Sequence, residues 1–183
     1  GLSIARRKYA LAAIDELQDD AGKLSKAARQ TVTTREGSTE EYKLALLQAE
    51  AADGMRSDHV PYLRTLGYAQ FRTNRPSQAL RTMARLDELS AQVLGYTDPV
   101  DVAYMAMNYQ QLGETANAQQ TLRRLQDMML SDWWSSRENV RAALAEAKSL
   151  ISLPQLDEKQ AADLASIKQV AYGPHQAGWY RHD

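Results

Sequence analysis

Apolar residues in this chain recur at three- and four-residue steps, the period of a helix packed on one side. Ala10, Ile14, Leu17, Ala21, Leu24 and Ala28 trace the first such stripe. Gly22, soon after Asp19-Asp20, leaves open whether this is one long helix or two short ones. A polar loop follows over 33–39. There Ser38 or Thr39 caps a helix of about 40–53, with Glu40 or Glu41 complementing its first-turn amides. Asp58-His59-Val60-Pro61 is a second start signal, with proline in the first turn, and predicts a helix over about 61–73. Asn74 sits at a tight turn, where it tolerates the left-handed conformation better than most residues. Pro76 then opens a helix of about 76–93. Beyond a loop over 94–98, Asp98 and Pro99 open the next helix, Gly113 turns the chain, and a helix of about 115–129 follows. Residues 132–136 lead into a helix of about 137–152, stopped by Pro154. A last helix is expected over 157–170, before a turn-rich, frayed end over 171–183. No run alternates apolar and polar residues, and Val, Ile and Phe are scarce beside Ala, Leu, Gln, Arg and Glu. The expected fold class is all-α.

Two of these helix pairs follow one template. The first reads Leu63-x-x-Leu66-Gly67-x-x-Gln70, then Ala79-x-x-x-Met83 and Leu86; the second reads Val102-x-x-Met105-Ala106-x-x-Tyr109, then Ala118-x-x-x-Leu122 and Leu125. Gly113 follows Asn74 by 39 residues, the same offset as the rest of the template. A weaker copy lies 34 residues upstream, where Ala45 and Ala52 match Ala79 and Leu86.

This spacing resembles the tetratricopeptide pattern W-x-x-L-G-x-x-Y…A-x-x-x-F, as found in segments of many bacterial multidomain proteins. The strings 41–52, 62–73 and 101–113 carry the resemblance, with Trp134 and Glu146-Ala147 closing it. It departs at Arg29, where an aromatic would be expected, and at Leu86 and Leu125, which replace a small residue. The resemblance implies a right-handed α-solenoid of helical hairpins with N- and C-terminal capping helices. Residues 1–34 would be a helical cap with a degenerate repeat helix, 35–152 the repeats and a capping helix, and 153–183 a terminal helix and flexible tail.

In such arrays the first helix of each hairpin lines a concave groove that binds another protein. The groove positions implied here are Pro61, Arg64, Tyr68, Phe71 and Arg72, then Val100, Ala103, Met107, Gln110 and Gln111. Of these, Arg64, Tyr68, Phe71, Arg72, Met107, Gln110 and Gln111 are the candidate partner-binding residues. Tyr68, Phe71 and Met107 would be apolar anchors, and Arg64 and Arg72 would meet carboxylates of an acidic or C-terminal segment. The alternatives are packing of Tyr68 and Phe71 between hairpins and simple solvation of the arginines. The Lys/Asn set that grips a C-terminal carboxylate in some members of the family is absent. Trp134 matches the family's buried tryptophan, while Trp133 is open between core and exposed patch. His59 reads as a loop residue before a helix, and His175 and His182 are too weakly spaced on the tail to suggest a metal.

Composition changes this picture little. Of 183 residues 25% are charged, with a formal net charge of −1, which gives no nucleic-acid or anionic-membrane footprint. The absence of cysteine excludes disulfides, thiolate metal sites and a cysteine nucleophile, and fits a reducing or an oxidising compartment; the cytoplasm is the expectation. No stretch of 18 apolar residues occurs. Gly1-Leu2-Ser3 lacks both a starting Met and a signal-peptide core, so the chain reads as a piece of a longer protein. There is no G-x-S-x-G, phosphate-binding glycine loop or H-E-x-x-H, and the adjacent carboxylates Asp19-Asp20 and Glu40-Glu41 diverge on a helix. The expected function is therefore non-catalytic, without cofactor or metal. It is binding of a protein or peptide, or self-association as a homodimer or spacer within a larger protein.

Overall fold

The computed structural model describes residues 20–152, and within them the chain is helical throughout, with no strand. The helices are α1 (20–32), α2 (Thr39–Met55), α3 (Val60–Arg72), α4 (Pro76–Leu94), α5 (Pro99–Gln111), α6 (Thr115–Met128), the single turn α7 (Asp132–Ser135) and α8 (Glu138–Leu150). Their ends lie within two residues of the expected ones, because strong local signals set them. Ser38 and Glu41 close a reciprocal cap at α2, and Asp98 accepts from the Val100 amide at α5. Proline stands in the first turn of α3, α4 and α5. Gly22 does not break α1. The first part of the N-terminal stripe (Ala10, Ile14, Leu17), the helix expected over 157–170 and the tail with its two histidines lie outside the described residues.

The two hairpins α3–α4 and α5–α6 repeat each other down to the turn. The Arg75 amide donates to the Gln70 carbonyl at 2.9 Å and the Asn74 amide to Phe71 at 3.0 Å. Thirty-nine residues later Glu114 donates to Tyr109 at 2.9 Å and Gly113 to Gln110 at 3.0 Å. Both turns need a left-handed residue, Asn74 at φ 58° and Gly113 at φ 76°. Gly113→Ala should therefore cost about 1–2 kcal/mol in urea denaturation, whereas Asn74→Gly should be nearly neutral.

Packing repeats as well. Ala79, Met83 and Leu86 on α4, and Ala118, Leu122 and Leu125 on α6, are fully buried, as are their upstream counterparts Ala45, Ala49 and Ala52 on α2. A Cβ on Gly67 would come within 2.8 Å of the Met83 methyl, so the long methionine requires the bare backbone opposite. The second hairpin places Ala106 and the shorter Leu122 at the same positions. Helices α4 and α6 bury one stripe each, while α3 buries ten of its 13 residues and α5 nine of 13, so the leading helices of both hairpins carry the core. Helix α8 packs on both α5 and α6. It begins 39 residues after α5, as α5 begins 39 after α3, and all three are 13 residues long.

Candidate functional site

The inner faces of α3 and α5 meet the end of α1 and the side of α8, and the polar residues there are paired with one another. On one side the Arg64 guanidinium grips Asp101 with two bonds, Nε to Oδ1 at 2.9 Å and Nη2 to Oδ2 at 2.8 Å. Tyr68 donates its hydroxyl to the same carboxylate at 2.7 Å, and Asp98 stands 3.9 Å from Arg64. Burial pushes the Asp101 carboxyl up from the ordinary carboxylate range, against the opposing pull of Arg64. Burial also raises the Tyr68 hydroxyl well above its usual value, holding it neutral as a donor. Burial disfavours the Arg64 charge as well, but its bonds to Asp101 outweigh that and raise it.

On the other side Arg72 ties four segments together. Its Nε donates to the Val32 carbonyl at the end of α1 at 3.0 Å. Its Nη2 donates to the Tyr104 hydroxyl of α5 at 3.1 Å, and to Glu146 Oε2 of α8 at 3.0 Å, while Nη1 contacts the other oxygen of Glu146. The Tyr104 hydroxyl in turn donates to the Val32 carbonyl at 3.1 Å. The Arg72 guanidinium lies 5.4–5.8 Å from the ring centres of Phe71, Tyr104 and Tyr42. Between the two clusters Tyr68 and Tyr104 stack at 3.8 Å, with Phe71 edge-on to Tyr104.

These contacts correct the expectation of an open groove. Tyr68 (2% exposed), Phe71 (4%) and Met107 (0%) are core residues, not anchors offered to a partner. The side chains of Arg64 and Arg72 are 13% and 8% exposed and satisfied within the chain. The physical reason is that α8 and the end of α1 lie over the faces of α3 and α5 that an open array would present. Gln110 is half-buried with its carbonyl oxygen unpartnered, and Gln111 is exposed at the end of α5. The sequence reading missed Asp101, Tyr104 and Glu146, the partners that draw these arginines inward. Asp101 had the look of an ordinary first-turn acid, and only its place in an otherwise apolar helix hinted at burial.

What remains of the groove is a cleft of about 130 Å³ among α1, α3, α5 and α8, lined by Arg29, Arg35, Arg64, Tyr104, Asn139 and Glu146 among others. It is well below the few hundred Å³ of a typical ligand site. A larger trough of about 490 Å³ lies between α1 and α2, beside Ala27, Gln30, Leu44 and Gln48. Leu44, Leu47 and Met55 project from α2 at 57%, 63% and 48% exposure, an apolar stripe that no described residue covers. At the other end of the described chain Trp134 is buried, whereas Trp133 is 60% exposed with the Arg137 guanidinium 4.3 Å over its ring. His59 caps α3 without a side-chain bond and lies against Tyr62. Among the described residues no group of His, Cys, Asp and Glu is placed to hold a metal ion, and no helix is long and apolar enough to cross a membrane.

Compared with protein-family models, curated proteins and solved structures, the chain matches none.

Proposed function

We propose that this chain is a non-catalytic interaction module, a tetratricopeptide-like stack of helical hairpins that presents surface to another protein. The observation that carries this reading is the reproduction of one hairpin by the next, in turn geometry and in buried positions, at a fixed 39-residue offset. Repeated hairpins of this kind build extended binding surface and bury their own polar groups in structure, as Arg64 and Arg72 are buried here. The groove residues Arg64, Tyr68, Phe71, Arg72 and Met107 hold the scaffold together, so the contact surface lies on the outside, at Trp133 and along Leu44, Leu47 and Met55. Exposed tryptophan beside arginine is the composition of an interface hot spot.

A second reading, self-association or a spacer within a longer protein, is favoured by the exposed α2 stripe. One experiment separates the two. The chain, Trp133→Ser and Leu44→Glu/Leu47→Glu are compared as bait and by light scattering across a dilution series, with helicity checked by circular dichroism. A partner held by the parent and lost by one surface variant supports the interaction module. A mass that falls on dilution, and is already monomeric in Leu44→Glu/Leu47→Glu, supports self-association. Turnover of a substrate by the purified chain would overturn both.

A further inference from the structure

We propose that the cleft enclosed by α1, α3, α5 and α8 binds one compact, phosphate-sized oxyanion, with Arg64 on its floor and Arg29 and Arg35 at its mouth. This goes beyond the interaction reading and does not rest on it. The first support is the charge count. Among the described residues Arg29, Arg35 and Arg64 line the cleft against Asp98 and Glu146, with Arg72 and Asp101 paired behind them. The inner charges are matched, Arg64 by Asp101 and Arg72 by Glu146. The Arg35 guanidinium reaches only long contacts, 3.4 Å to the Ser149 hydroxyl and 3.8 Å to Glu146. Arg29 has no side-chain hydrogen bond or ion pair to any described residue, although it borders the cleft. One positive charge is therefore left over, beside a space that the low-dielectric walls screen poorly.

The second support is size and lining. The cleft, at about 130 Å³, has room for several waters and so for a tetrahedral anion. Guanidinium forks suit a multi-oxygen anion, and Asn139 at the rim adds an amide donor without a described partner. Asp98 and Glu146 in the wall limit the occupant to a single compact group, since a chain of phosphates would be repelled. The same chemistry is supplied by a free ion or by a phosphorylated side chain.

The test uses the 183-residue chain and inorganic phosphate, followed by isothermal titration and by thermal unfolding against chloride at matched ionic strength. Phosphate stabilises many proteins by exclusion from their surface, so the contrast between variants is the readout. Arg29→Gln should bind phosphate about tenfold more weakly than the parent, the effect of one charged hydrogen-bonding partner. Arg81→Gln, an exposed arginine on α4 away from the cleft, should bind as the parent does. Arg29 is exposed and unpaired, so its replacement should leave the unfolding temperature in chloride unchanged. Equal affinity in the parent and Arg29→Gln, or no binding by either, overturns the proposal. A short phosphoserine peptide then identifies the source: competition with phosphate marks a side-chain ligand, and its absence beside phosphate binding marks a free ion.

Discussion

Asp101→Ala should destabilise the protein by about 3–5 kcal/mol, the largest effect expected of a single substitution here. The aspartate is 2% exposed and accepts three of the shortest polar contacts in the core, two from Arg64 and one from Tyr68. Removing it leaves a largely buried guanidinium and a buried phenol without their acceptor, and much of their desolvation is then uncompensated. Asp98, 3.9 Å from Arg64, is too far to replace the bidentate grip. Asp101→Asn should cost less, since its amide oxygen still accepts from Tyr68 or Arg64 while the charge is lost. The double change Arg64→Met/Asp101→Leu should recover much of the loss, because a matched apolar pair carries no stranded charge. Urea denaturation of the parent, Arg64→Met, Asp101→Leu and the double variant makes a cycle, and additivity of the two single changes would show that the pair is not coupled.

Glu146→Ala should cost about 3 kcal/mol, and the loss should be local. Arg72 would keep the Val32 carbonyl and the Tyr104 hydroxyl, so α3 and α5 retain their contacts with α1. Helix α8 would lose its ion pair with α3, and with it part of its hold on the bundle. Amide exchange is the discriminating measurement. The α8 amides should lose protection well before those of α3 to α6; uniform loss across all helices would mean that α8 is not a separate unit.

Much of the helical framework was legible in the sequence because its signals are local. Asn74 and Gly113 mark turns that need a left-handed residue, and Pro61, Pro76 and Pro99 fall in first turns. The third 13-residue helix at the same spacing was harder to see. At its template positions, 39 residues past Val102 and Tyr109, stand the exposed Arg141 and Lys148. Helix α8 instead buries Val140, Ala143, Glu146 and Ala147, the equivalents of the buried Asp101, Tyr104, Met107 and Asn108 on α5, and leaves those two template positions outside.

The candidate site was legible only as a set of unusual residues. Spacing placed Arg64, Tyr68, Phe71 and Arg72 on one inner face, which is where they lie. It could not say what covers that face, since the covering groups come from far along the chain. Val32 and Glu146 lie 40 and 74 residues from Arg72, and no periodicity within α3 refers to them. Trp134 is buried, as its match to the repeat pattern implies, whereas the adjacent Trp133 is exposed, and both rings lie near the Arg137 guanidinium.

The Arg72 clasp also resists the insertion of a further hairpin between α3 and α8. Stacked repeats interact only with their neighbours, so units can ordinarily be inserted or deleted like beads on a string. Here one side chain on α3 bridges the end of α1, the middle of α5 and helix α8. A duplicated 39-residue block between Arg72 and Glu146 would move the two apart and strand both charges. The arrangement is thus closed to insertion between α3 and α8.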